Sequence, residues 1–262
     1  MMTLFLICLL VGCLVGVLAG LFGIGGGLII VPILVYLLPM AGVPDSLLMA
    51  VALGTSFATI IITGGASAYN HYKAGNIDWS SLKLFAPVVM AATYISSFFV
   101  SHLPKEWASK IFAVLVVYLS IKMILSVRAK TGNKPFTNKS AIVGGTLIGI
   151  ASSGAGIGGG SFIVPFLNAR GYEMRQAIGS SSFCGMLLAA SGCLSYIVSG
   201  WHNAEIPAFS LGYVFLPAVL GITLTSVFTT KFGVILASRL PVAQLKKAFA
   251  VFLLLIAIKM IF

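Results

Sequence analysis

The sequence predicts an all-α polytopic membrane protein made of two internal repeats, and three observations lead there. Of 262 residues, 59% are hydrophobic and only 8% charged, with a mean hydropathy of +1.10; soluble chains carry about 25% charged residues. Apolar runs over residues 3–21, 47–69, 84–101 and 111–127 approach or exceed the roughly 20 residues that span a bilayer. A glycine-rich stretch, Gly23-Ile24-Gly25-Gly26-Gly27-Leu28-Ile29-Ile30-Val31-Pro32-Ile33-Leu34, returns as Gly156-Ile157-Gly158-Gly159-Gly160-Ser161-Phe162-Ile163-Val164-Pro165-Phe166-Leu167, with nine of twelve positions identical at an offset of 133 residues.

Residues 3–38 form one nearly continuous apolar stretch. As a straight helix it would measure about 54 Å at 1.5 Å per residue, far beyond the roughly 30 Å of a hydrocarbon core. Glycine costs about 1 kcal/mol relative to alanine inside a helix, and proline removes a backbone donor. Each glycine-rich copy is therefore read as a broken helix. The chain either overshoots the membrane or folds back there as a hairpin. The N-terminus lacks the basic start and polar continuation of a secretion signal, and its second copy also assigns it to the fold.

After the loop Pro39–Ser46 comes a second signature, Ala52-Leu53-Gly54-Thr55-Ser56, which recurs as Ala177-Ile178-Gly179-Ser180-Ser181 at an offset of 125. Leu103-Pro104 matches Leu240-Pro241, and Ile121-Lys122-Met123 matches Ile258-Lys259-Met260, both at 137. The duplication thus runs through both halves. We divide the chain into a first transmembrane repeat at 1–127, a basic linker at 128–139 and a second repeat at 140–262. The linker holds Arg128, Lys130, Lys134 and Lys139 with no acid, which places it in the cytoplasm.

With 16 Lys and Arg against five Asp and Glu, the net charge is +11, most of it a topological signal. If residues 3–38 crossed once, the halves would be parallel, and Arg170, Arg175, Lys231 and Arg239 would face outward. If they fold back, the halves are inverted, and those residues join Lys73, Lys83, Lys246, Lys247 and the linker inside, leaving Lys105 and Lys110 as exceptions. Inversion is the preferred reading, since it also supplies the symmetry that alternating access needs. Trp79, Trp107 and Trp201 fall at helix ends as interfacial anchors. Gly12, Gly16 and Gly20, like Gly145 and Gly149, have the spacing of close helix packing. Lys122 and Lys259 lie near run ends and snorkel.

The chemistry follows from the breaks. A half-helix that starts inside the membrane presents unused N–H groups and a partial positive charge, which suits an anion without a charged side chain. The expected substrate-binding residues are Gly23, Gly25, Gly26, Gly27, Gly54, Thr55, Ser56, Gly156, Gly158, Gly159, Gly160, Ser161, Gly179, Ser180 and Ser181, with Gly-Thr-Ser and Gly-Ser-Ser read as turns. The bland counterpart is that these glycines only pack and these serines bond their own backbone. Cys8, Cys13, Cys184 and Cys193 lie in apolar runs without the spacing of a metal site. Gly154 to Gly159 satisfies G-x-G-x-x-G but lacks the strand that a dinucleotide site requires. No metal, no cofactor, no catalytic residue and no nucleic-acid partner is expected. Partners are a small anion and the lipid bilayer, and a homo-oligomer is compatible with the sequence.

Ala19-Gly20-Leu21-Phe22-Gly23-Ile24-Gly25-Gly26-Gly27 with Val31-Pro32, Ala52-Leu53-Gly54-Thr55-Ser56, Tyr72-Lys73-Ala74-Gly75-Asn76-Ile77-Asp78-Trp79 and the second-half copies together make a chain that resembles the TauE/SafE family of sulfite and organosulfonate exporters. The resemblance covers essentially the whole chain, with modest departures at Ser152-Ser153 and Asn168. It implies a permease of the cell inner membrane that exports small sulfur-containing anions such as sulfite or sulfoacetate. An anion channel built on the same half-helices is the first alternative; a membrane scaffold or enzyme partner in sulfur metabolism is the second.

Overall fold

The computed structural model describes residues 2–22, 26–125, 135–239 and 242–261. In these the chain runs α1 (Met2–Phe22), α2 (Gly27–Leu37), α3 (Leu48–Lys73), α4 (Trp79–Ser101), α5 (Lys105–Leu125), α6 (Asn138–Ala155), α7 (Gly160–Asn168), α8 (Met174–Gly200), a two-stranded ribbon of β1 (Ser210–Leu211) and β2 (Val214–Phe215), α9 (Leu216–Arg239) and α10 (Val242–Ile261). Among the described residues, three segments are long and apolar enough to cross a membrane, Asp45–Lys73, Trp79–Ser101 and Met174–Gly200. The protein is an all-α membrane protein apart from that short ribbon, which pairs Ser210 with Phe215 and Leu211 with Val214. Nothing in the sequence signals the ribbon, since two residues per strand are too few for any alternation to register.

The helix boundaries follow local chemistry. Asp78 caps α4 by accepting from Ser81 N at 3.0 Å. Thr137 and Ser140 form a reciprocal capping box at the start of α6, so the helix begins at Asn138, inside the stretch assigned to the linker. Residues 128–134 lie outside the described residues. The loop at 39–46 contains 3-10 turns at Leu38–Ala41 and Asp45–Leu47. Trp79 and Trp107 open α4 and α5, and Trp201 follows α8.

Helix directions can be read from which residues meet. On α1 and α9, Gly12 lies against Ile222 and Thr225, and Gly16 against Ser226 and Thr229, so the two run parallel. On α6 and α4, Gly145 meets Val88 and Val89, and Gly149 meets Ala92 and Thr93, again parallel. Ser191 Oγ donates to Met90 O at 2.6 Å and Ser195 Oγ to Tyr94 O at 2.9 Å, so α8 runs with α4. In contrast, Gly54 meets Tyr196, Gly192 meets Phe57, and Ser67 Oγ donates to Ser182 Oγ at 3.1 Å, so α3 and α8 are antiparallel.

These directions decide the fate of residues 3–38. Tyr213 N donates to Tyr196 O at 3.2 Å and Phe215 N to Thr55 Oγ1 at 3.0 Å, which puts the starts of α3 and α9 at one face. Because α1 runs parallel to α9 from that same face, α2 must bring the chain back to it before α3 begins. The stretch folds back rather than crossing once. The face where α3 ends and α4, α6 and α8 begin carries Lys73, Lys83, Lys139, Arg170 and Arg175. The opposite face has Lys105, ion-paired with Asp45, and Lys110.

Close approach at small residues joins α1 to α9 and α4 to α6, and serine hydroxyls join α8 to α4. Membrane helices associate through small residues that let backbones approach, because lipid is as apolar as leucine. A β-carbon on Gly149 would lie 2.7 Å from Ala92 Cβ and 2.9 Å from Val89 O. Gly149→Val is therefore expected to destabilise the detergent-solubilised protein by about 1–3 kcal/mol or more, whereas Leu147→Val on the exposed side of α6 leaves the thermal midpoint within a degree or two. Thermal unfolding followed by intrinsic fluorescence checks both.

Candidate functional site

The second break is described throughout. Helix α6 ends at Ala155, Gly156 takes φ 60°, and Gly159 takes φ 72° as the residue before α7. In the first copy Gly26 takes φ 79° before α2; Gly23 and Gly25 lie outside the described residues. The left-handed region costs a residue with a β-carbon roughly 1–2 kcal/mol, so glycine at 26 and 159 lets each half-helix start without strain. No side chain caps α2 or α7. The opening N–H groups of a helix have no partner of their own and carry its positive end.

The two breaks meet. A β-carbon on Gly27 would fall 2.5 Å from Gly156 O and 3.1 Å from Ile157 Cα. Ser56 Oγ, from α3, donates to Gly156 O at 2.8 Å. On the other side Gly185 of α8 lies against Gly158 O, closely enough that no side chain fits. Ile157 and Ser56 are fully buried. Gly26, Gly27, Gly158 and Gly159 are buried as well, and Gly160 is partly so.

Most hydroxyls in the interior are satisfied by helix carbonyls, and a few are not. Ser152, in the last turn of α6, and Ser181, one turn before Gly185 on the same face of α8, are buried with no hydrogen-bond partner for Oγ. Ser161 Oγ, in the first turn of α7, is also buried and unpartnered. Leaving a buried hydroxyl unpaired costs about 1–3 kcal/mol. Ser152 and Ser161 flank the second break in the chain, and Ser181 lies one turn of α8 before Gly185, which touches it; hydroxyls and the first amides of a helix are groups from which a small anion accepts. Among the described residues no three His, Cys, Asp or Glu side chains gather as metal ligands.

Gly-Thr-Ser and Gly-Ser-Ser are not turns. They lie inside α3 and α8, because alanine and leucine neighbours sustain the helix and the glycine serves a close approach instead. Gly54 lies under the Tyr213 carbonyl, 2.6 Å from a β-carbon built there, and Gly179 lies under the Asn76 carbonyl. Thr55 Oγ1 accepts from Phe215 N, and Ser180 Oγ accepts from Asp78 N at 2.9 Å. Each signature thus seats the loop entering a helix of the other half, α9 in one case and α4 in the other. Of the expected site residues, the structure gathers Gly26, Gly27, Ser56, Gly156, Gly158, Gly159, Gly160, Ser161 and Ser181 around the breaks. It places Gly54, Thr55, Gly179 and Ser180 under these two loops. Sequence reading missed Ser152, Ile60 and the seated segments Asn76–Asp78 and Tyr213–Phe215. Only the Asn76–Asp78 segment carried a signal, in the motif that supports the resemblance.

An all-helical membrane protein with two uncapped half-helices meeting in its interior has the architecture of a membrane transporter. The chain belongs to the sulfite exporter TauE/SafE family, whose pattern it matches over residues 8–260. It is 60% identical over 261 residues to a probable membrane transporter protein of Haemophilus influenzae, covering 99% of each chain. It is 30% identical over 228 residues to one of Methanocaldococcus jannaschii, covering 86% of this chain and 84% of that one. The probable membrane transporter protein YunE of Bacillus subtilis is 29% identical over 227 residues, 76% of this chain and 80% of that one. No solved structure matches the chain.

Thr55→Val keeps the shape of the side chain and removes the acceptor for Phe215 N. The expected loss of stability is about 1–3 kcal/mol, with Thr55→Ser losing much less. Thermal unfolding of the two variants side by side measures the difference.

Proposed function

We propose that this chain is a multi-pass carrier of the cell inner membrane that moves a small anion, a sulfur oxyanion or organosulfonate, outward by alternating access. The observation that carries this reading is the meeting of the uncapped start of α2 with the break that leads into the uncapped α7, a break flanked in the chain by the buried, unpartnered hydroxyls of Ser152 and Ser161. Oriented N–H groups and hydroxyls in a dry interior stabilise an anion strongly, and they do so without the cost of a buried cation. The halves 1–127 and 140–262 act as inverted repeats, with α3 antiparallel to α8 and the pairing of α1 with α9 mirrored by that of α6 with α4. The basic face with Lys73, Lys83, Arg170 and Arg175 is cytoplasmic. The seated segments at Asn76–Asp78 and Tyr213–Phe215 close the site from the two sides in turn.

The cargo class comes from the family description and from the size and charge preference of such a site. A membrane potential, negative inside, drives an anion outward with about 2.3 kcal/mol per charge per 100 mV, so export needs no coupling ion. In proteoliposomes, sulfite or sulfoacetate flux is expected to rise with an imposed potential and to be stimulated by unlabelled substrate on the far side. Flux without trans-stimulation, accompanied by single-channel currents, would replace the carrier with a channel.

Binding is tested separately by thermal stabilisation with sulfite, sulfate, thiosulfate, sulfoacetate, taurine, acetate and chloride. A ligand at 100 times its Kd stabilises by about 2.7 kcal/mol. A selective shift with a sulfur anion, weakened about tenfold in affinity by Ser181→Ala but not by Ser191→Ala, is the expected result. Equal shifts with all anions would contradict a built site.

A further inference from the structure

Helix α4 carries an exposed stripe that the anion site does not involve. Lys83, Pro87, Ala91 and Ile95 follow one another at about one turn each, and all four are exposed, while other sides of α4 pack on α6 and α8. Pro87 gives the Lys83 carbonyl no N–H, and a proline ring inside a helix crowds the turn before it. From Pro87 onward α4 and α8 leave a shallow, open groove of about 440 Å³ between them, lined by Pro87, Met90, Ala91, Tyr94, Ile95 and Ser191. The lining is almost wholly apolar, and Ser191 Oγ is already engaged in donating to Met90 O at 2.6 Å. An apolar groove along the lipid-facing side of a membrane helix suits a hydrocarbon chain.

One end of the stripe carries charge. Lys83 belongs to the basic face and makes no ion pair among the described residues. Trp79, one turn earlier and also exposed, sets its ring edge-on against Phe183 of α8 with centroids 5.0 Å apart, and tryptophan favours the level of the lipid headgroups. A lysine one turn deeper reaches that level by snorkelling. Pro87 and Ala91 lie about 6 and about 12 Å beyond Lys83 along the helix at 1.5 Å per residue, within the roughly 15 Å of one leaflet, half the hydrocarbon core. We infer that this face of α4 binds an anionic phospholipid of the leaflet on the basic face, with its phosphate at Lys83 and one acyl chain in the groove between α4 and α8.

Native mass spectrometry of the purified, detergent-solubilised protein, titrated with dioleoylphosphatidylglycerol or dioleoylphosphatidylcholine, tests this. Wild-type protein is expected to hold one tightly bound lipid per chain and to prefer the anionic lipid about fivefold, the contribution of one lysine near an anionic surface. Lys83→Gln should abolish that preference and still hold the lipid, whereas Lys110→Gln on the opposite face should leave the preference intact. Ala91→Phe, at an outward-facing position, fills the groove and should lose the bound lipid of either kind. Ala91→Leu should weaken binding in the same direction and serves if Ala91→Phe does not fold. A preference that survives in Lys83→Gln, or a bound lipid that survives at full strength in both Ala91 variants, overturns the inference. So does wild-type protein that binds the two lipids equally. Wild-type protein that measures as two chains, and that Ala91→Phe separates with no lipid released, also overturns it, because the groove then seats a second copy.

Discussion

Gly27 lies against the Gly156 carbonyl, Gly158 lies against Ile60, and Gly185 lies against the Gly158 carbonyl, because none of the three has a side chain. That close approach at the breaks is the constraint on which the other features depend. It brings two interrupted helices together in the interior, where unpaired backbone in contact with lipid would cost several kcal/mol per group. It also forces α2 and α7 to turn back toward the face their predecessors came from. The fold-back in turn makes α3 and α8 antiparallel and directs the basic loops to one face.

A second set of glycines serves a different purpose with the same physics. Gly54 and Gly179 admit the carbonyls of Tyr213 and Asn76, and the hydroxyls of Thr55 and Ser180 catch the amides of Phe215 and Asp78 two residues later. Further bonds fasten each loop, Tyr213 N to Tyr196 O at 3.2 Å in one and Asn76 N to His71 O at 3.0 Å in the other. The hydroxyl positions that sequence reading treated as one ligand set divide instead into three: Thr55 and Ser180 hold loops, Ser56 holds the Gly156 carbonyl, and Ser161 and Ser181 have no partner.

The fold class and the helix spans were legible because composition and length report them directly; the positions of the lysines favoured the fold-back without deciding it, because residues 3–21 are long enough to span alone. The broken helices were legible too, since glycine and proline clusters are hard to reconcile with any continuous helix. The placement of Gly54 and Gly179 within helices was not, because glycine followed by two hydroxyl residues signals a turn as readily as a close contact. The choice between them depends on a distant loop, with Asn76 lying 103 residues before Gly179 and Tyr213 lying 159 residues after Gly54. Ile60 was invisible among its aliphatic neighbours Ile61 and Ile62. Its importance comes only from what packs on it. The ribbon at Ser210–Phe215 was missed because strands of two residues have no periodicity to detect.

The proposed anion site depends on the uncapped starts of α2 and α7 receiving a ligand. An anomalous difference map of crystals soaked or grown with selenite, a heavier analogue of sulfite, tests it most directly. The account predicts a selenium peak between Gly27 and Gly158, within hydrogen-bonding distance of the first amides of α7 and of Ser181 Oγ, lost in crystals of Gly158→Ala. A peak confined to the basic face near Arg170 and Arg175, with the space between the breaks empty at saturating selenite, would contradict it.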